Sequence, residues 1–172
     1  MMMEIKIALF ILIIITVRFI FTNIIVIGDK KINKMKEFID FTDYLRIYSC
    51  DMKMPIEEIL LKYNFKDDEF KNICYRFLDE IKNNDFNKSN IKNFLSFIEE
   101  TSMTPEDFNL LFADIINYYG SIYSDVLDKK LNFAKEEMIA KMKKYEDIHK
   151  EKKELYNKVS LLFGCLAAVI LI

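Results

Sequence analysis

From Lys129 to Ile172 the chain runs without a proline through a Lys- and Glu-rich stretch and straight into an apolar tail, YNKVSLLFGCLAAVILI. Leu127, Leu131, Ala134, Met138, Tyr145, Ile148 and Leu155 recur at near-heptad steps. This spacing predicts one long helix with a single apolar seam. Its last part needs lipid or an equally apolar partner. Val159 to Ile172 is 14 residues, about 21 Å of helix against a hydrocarbon core of about 30 Å. Counting Leu155 and Tyr156, with Lys158 snorkelling, brings it to about 27 Å. Gly164 with Ala167 or Ala168 are the small residues expected to let a second helix approach.

A second apolar stretch lies at the other end. Ile7 to Ile27 is 21 residues, about 31 Å of helix and enough to cross a bilayer. Arg18 follows the most apolar part directly and no small-x-small site comes after it, so an uncleaved anchor is expected. A central arginine costs about 2.5 to 3.5 kcal/mol on insertion scales. Either the span sits toward the amino terminus and Arg18 snorkels to the inner interface, or Arg18 and Asn23 face another transmembrane helix. Lys30, Lys31, Lys34 and Lys36 crowd after this span, and Lys150, Lys152, Lys153 and Lys158 precede the tail. Both flanks put the intervening body in the cytoplasm. The expected organisation is a membrane anchor over 1–28, a cytoplasmic helical domain over 29–158 and a membrane tail over 159–172.

Only three glycines and two prolines punctuate the chain, so long helices are favoured over many short strands. The fold expected is all-α, an antiparallel bundle of about six helices. The first carries Ile32, Met35, Ile39, Thr42, Leu45 and Ser49 or Tyr48 and ends near Cys50; the second starts at Pro55. A third opens with Asp67, Asp68 and Glu69 and buries Phe70, Ile73, Cys74, Phe77, Leu78 and Ile81. A fourth is capped by Ser89. Thr104, Pro105 and Asp107 start a fifth, which Gly120 closes. Ser124 caps the sixth.

Charge is segregated along the chain. The net is +1 over 29–66, −8 over 67–128 and +4 over 129–158. The acidic middle either keeps the body soluble and off anionic lipid or forms a docking face for a basic cytoplasmic partner, with Asp67, Asp68, Glu69, Asp79, Glu80 and Asp107 as its candidates. No phosphate-binding, dinucleotide, zinc-protease or nucleophile-elbow motif occurs. His149 is the only histidine, expected as a solvated helix residue. Cys50, Cys74 and Cys165 lack metal or disulfide-framework spacing and read as small buried hydrophobes. No catalytic, cofactor or metal site is expected. No nucleic-acid partner is expected for a chain of net charge −2 with an acidic middle.

The order of parts resembles the stage III sporulation protein AB family. The resemblance rests on Pro105, Asp107, Leu110, Leu111 and Gly120, then Ser124 and Asp125, and on the tail with Tyr156, Gly164, Val169, Ile170 and Leu171. The chain departs from the family pattern in having Tyr119 before Gly120 and Ser160 in place of a glycine. The resemblance implies a non-enzymatic membrane component of the sporulation channel between mother cell and forespore. It also implies that the tail crosses the membrane. The family's soluble part resembles the cytoplasmic domain of the platform proteins of type II secretion and type IV pilus machines. The partners implied are the secretion-type ATPase of the same apparatus, on the mother-cell side, and other sporulation channel proteins. A membrane-anchored helical adaptor or sensor outside any channel is the other reading of the same topology.

Overall fold

The computed structural model describes residues 2–82, 88–119 and 124–171. Among them every regular element is helical. Helix α1 (Met2–Arg46) runs into a π-helical turn (Ile47–Asp51). It is followed by α2 (Ile56–Lys62), α3 (Asp68–Lys82), α4 (Lys88–Ser102), α5 (Glu106–Ala113), α6 (Ile115–Tyr118) and α7 (Ser124–Leu171). Two compact units result. One comprises Met1–Lys30 with Lys144–Ile172, the other Lys31–Lys143. The charged stretch 144–158 therefore belongs to the same unit as the apolar ends.

Helix ends follow local chemistry. The amide of Met52 reaches back to the Ile47 carbonyl at 3.3 Å, which widens the last turn of the first helical run. Lys53 then takes φ 54° and Pro55 prevents the helix from resuming. The amides of Glu58 and Ile59 donate to the Pro55 carbonyl at 3.0 and 3.1 Å to open α2. Asp67 caps α3, its Oδ1 accepting from the Glu69 amide at 3.2 Å. At α5 the expected threonine cap is replaced. The helix starts after Pro105 with no side-chain cap. The Thr104 hydroxyl instead donates to Oδ1 of Asn109, whose Nδ2 donates to the Thr104 carbonyl at 3.1 Å. Asn109 is fully buried, and an unsatisfied buried amide costs more than an uncapped helix end.

Two further expectations change. The fifth helix is interrupted at Asp114, where the Asn117 amide bonds to the Asp114 carbonyl in a tight turn and α6 follows. Ser124 opens α7 but donates its hydroxyl to the Cys50 carbonyl at 3.3 Å. Ser89 is the second residue of α4, its side chain outside the described set, and Gly120 also lies outside the described residues.

The core of the 31–143 unit is aromatic. Phe38, Phe41, Phe70, Phe77, Phe94, Phe108 and Phe112 are all buried to within 1% exposure. Phe112 sits at the centre, its ring 4.8 Å from Phe38, 5.3 Å from Phe77 and 6.4 Å from both Phe70 and Phe94. The stripe Ile32, Met35, Ile39, Thr42 and Leu45 is buried as expected. Phe38 and Phe41, outside that stripe, are buried as well. Helix α1 is thus covered on two sides here, by the Phe-bearing helices α3 and α5 and by α7, whose Met138 sulfur lies 3.8 Å from the Thr42 hydroxyl. Burial at about 1.5 to 3 kcal/mol per large apolar side chain makes this cluster the main source of stability. Cys74 is buried in it, and burial pushes its thiol well up.

Candidate functional site

Two places carry the functional expectations: the acidic residues of the 31–143 unit and the helix pair of the other unit.

The six acidic candidates lie on α3 and α5 or at their starts. Asp67, Asp68 and Glu69 are at the beginning of α3, Asp79 and Glu80 near its end, Asp107 in the first turn of α5. Most are already engaged. Asp67 caps α3 and lies 3.6 Å from Lys34 of α1, which also hydrogen-bonds Glu69. Glu80 accepts from Arg76 at 3.0 Å, one turn earlier. Asp107 accepts from Lys141 of α7 at 2.7 Å. Asp68 and Asp79 are exposed and make no ion pair among the described residues. The basic flanks and the acidic middle of the sequence therefore meet within the fold. Arg46 with Asp128 at 2.9 Å adds to the pattern, while Lys135 with Asp43 at 3.0 Å joins the two flanks to each other. Four of the six candidates, Asp67, Glu69, Glu80 and Asp107, are thus paired within the fold.

Buried charge appears once more, at Glu37, which is 4% exposed. Its carboxylate accepts from the Lys66 amide at 2.8 Å and pins the connection between α2 and α3. Burial raises its pKa above the usual carboxylate value, with the Lys66 amide opposing. It is a buried structural group that ties α1 to the α2–α3 connection.

The second place is the pairing of α1 with α7 in the unit holding both apolar ends. Gly164 is buried against Ile14: a Cβ there would lie 3.3 Å from the Ile14 Cα. One level along, Phe21 and Tyr156 put their ring centroids 5.6 Å apart. At the next, Gly28 faces His149, and a Cβ on Gly28 would fall 2.1 Å from the imidazole Cε1. His149 Nε2 is 2.9 Å from Asp29 Oδ1, and Lys153 Nζ is 3.1 Å from Asp29 Oδ2. The His149 bond is the leading cause that holds the Asp29 carboxyl below its usual value, against the opposing effect of desolvation. His149 is thus largely covered, with a side chain 12% exposed, and not solvated as its polar sequence neighbours suggest.

The other membrane candidates are arranged differently. Arg18 and Asn23 are both exposed on α1. Five residues apart on a helix, they point about 140° away from each other, so one neighbouring helix cannot take both. Ala167 is half-buried, while the side chain of Ala168 lies outside the described set. Ser160 is buried, its hydroxyl donating to the Asn157 carbonyl at 3.2 Å. Among the described residues α1 alone is long and apolar enough to cross a membrane. Ile11, Leu12, Ile15, Phe19 and Ile20 of that helix are exposed.

A helix that suits a membrane near the amino terminus and a helical remainder are what the expected family requires. The family model for stage III sporulation protein AB matches residues 6–172. The chain belongs to that family. No curated protein and no solved structure matches it. Membership in the stage III sporulation protein AB family assigns the chain a role in stage III of sporulation, and the match runs through both apolar ends and the whole helical body between them. The family is a structural component of sporulation and not a known enzyme family. Among the described residues no group of three or more His, Cys, Asp or Glu is placed to hold a metal ion.

Proposed function

We propose that the chain is a non-enzymatic platform in the sporulation channel apparatus, anchored in the mother-cell membrane around the forespore with its 31–143 unit in the cytoplasm. There it couples a secretion-type ATPase to the membrane assembly. The observation that carries this reading is the continuity of two helices. α1 and α7 each supply residues to both units, so a load on one unit is borne by the same unbroken backbones that form the other. Membership in a sporulation family and an apolar α1 support the setting.

The docking surface proposed for the ATPase is the exposed face of α3 carrying Asp68 and Asp79. These acids are 11 residues apart, three helical turns, and so project from nearly the same side. Contacts made by such exposed carboxylates are screened by salt. The test is affinity purification of the full-length protein from sporulating cells at low and high ionic strength. The expected result is a cytoplasmic ATPase and neighbouring channel proteins in the low-salt eluate, with the ATPase lost at high salt and in the double variant Asp68→Lys, Asp79→Lys. Reproducible absence of an ATPase from the wild-type eluate contradicts the platform reading. An ATPase retained by the double variant moves the docking face elsewhere.

A further inference from the structure

The register of α1 against α7 has a consequence for membrane depth. Ile14 meets Gly164, Phe21 meets Tyr156 and Gly28 meets His149. Each step of seven residues on α1 is matched by eight or seven on α7 in the opposite direction. Levels between these contacts can therefore be read off both helices. Arg18 lies level with about Ser160, and Lys158 level with Phe19 or Ile20. The exposed charged residues Lys150, Glu151, Lys152, Lys153, Glu154 and Lys158 run beside Phe19 to Ile27, the second half of the apolar run.

A bilayer cannot take that half of α1 without taking the charged stretch of α7 with it. One charged residue at the centre of a membrane helix outweighs about five aliphatic ones on insertion scales. Six charges here stand against five exposed apolar side chains, Phe19, Ile20, Ile24, Val26 and Ile27. The charges decide the depth.

We infer that the cytoplasmic edge of the hydrocarbon crosses the pair at Arg18 and Lys158, and that these two cations sit at the level of the lipid phosphates. The inference rests on reading the two apolar ends as membrane elements. It explains Arg18 without a partner helix: the guanidinium is exposed, makes no ion pair among the described residues, and faces headgroups. Ile7 to Val17 and, beside it, Val159 to Leu171 are left for the hydrocarbon. The α1 part is 11 residues, about 16 Å, roughly half a typical core, so the bilayer thins around the pair. Phe19 to Ile27 then rises through the interfacial layer.

The chain contains no tryptophan, which makes a direct test available. Leu12→Trp, Ile20→Trp and Ile27→Trp each replace an exposed residue of α1. The full-length variants are reconstituted into phosphatidylcholine–phosphatidylglycerol vesicles and quenched with brominated lipids or with aqueous acrylamide. The expected result is strong bromolipid quenching for Leu12→Trp only, acrylamide quenching for Ile27→Trp only, and headgroup-level behaviour for Ile20→Trp. Bromolipid quenching of Ile20→Trp and Ile27→Trp as strong as that of Leu12→Trp overturns the inference and leaves the membrane reading standing. Absence of bromolipid quenching in all three overturns the membrane reading, and the inference with it.

Discussion

Gly28 and His149 show how one residue can be read wrongly in isolation. In sequence, Gly28 marks the end of an apolar run and His149 is one polar residue among many. In the fold the His149 ring fills the space that a side chain on Gly28 would need, and Asp29 holds the ring there. A glycine to alanine change inside a helix ordinarily adds about 1 kcal/mol of stability. Gly28→Ala should not, because the new methyl displaces the imidazole and breaks the bond to Asp29. In a His149→Ala background the same change should give its full gain of about 1 kcal/mol. Thermal unfolding of the four proteins in detergent measures the coupling, and a gain of equal size in both backgrounds would mean the two residues do not meet.

Glu37 offers a second residue-scale outcome. Its folded pKa is raised, so the folded state binds more protons than the unfolded state between the ordinary carboxylate value and the raised one. The contribution of this group to stability is greatest below the ordinary value and is lost as pH rises through the raised value. Glu37→Gln keeps an acceptor for the Lys66 amide and removes the buried charge. It should raise stability at pH 7 and flatten the pH dependence on the acid side, as read from unfolding midpoints at a series of pH values. A lower midpoint at pH 7 would show that the ionised carboxylate is favoured by its surroundings.

At the scale of elements, the Phe cluster is what joins α1, α3, α4 and α5 into one core. Phe112→Ala removes the ring that touches Phe38, Phe77, Phe70 and Phe94, and should cost about 3 to 5 kcal/mol. Loss of the cooperative unfolding transition, or a shift of that size in denaturant titration, is the expected observation; a loss below about 1 kcal/mol would mean the cluster repacks freely. Helix positions were legible because period and start signals agree locally: Pro55, the acids at the opening of α3 and Pro105 each lie within a residue or two of a helix start. The width of the buried face on α1 was not. A single stripe at three- and four-residue steps finds one neighbour, whereas α1 has neighbours on two sides, so Phe38 and Phe41 escaped it. The break at Asp114 and the use of Thr104 for Asn109 were equally hidden, since both depend on contacts that a capping pattern does not contain.

For the whole molecule, charge segregation is the feature to which the fold adds most. A basic, acidic, basic sequence left two readings open, a body kept soluble and off anionic lipid or a docking face for a basic partner, and in the fold Lys34 and Lys141 from the long helices take up Asp67, Glu69 and Asp107. The pattern serves first to pair the body's middle with α1 and α7, and partly exposed pairs of this kind add little stability each. The platform account stands or falls on which side of the membrane that body lies. The direct measurement places a cysteine at Asn72, exposed on α3, in a full-length protein whose Cys50, Cys74 and Cys165 are replaced by alanine. With an impermeant maleimide the account predicts no labelling in intact cells and full labelling after lysis. Labelling of Asn72→Cys in intact cells would put the body outside the cytoplasm and contradict a platform for a cytoplasmic ATPase.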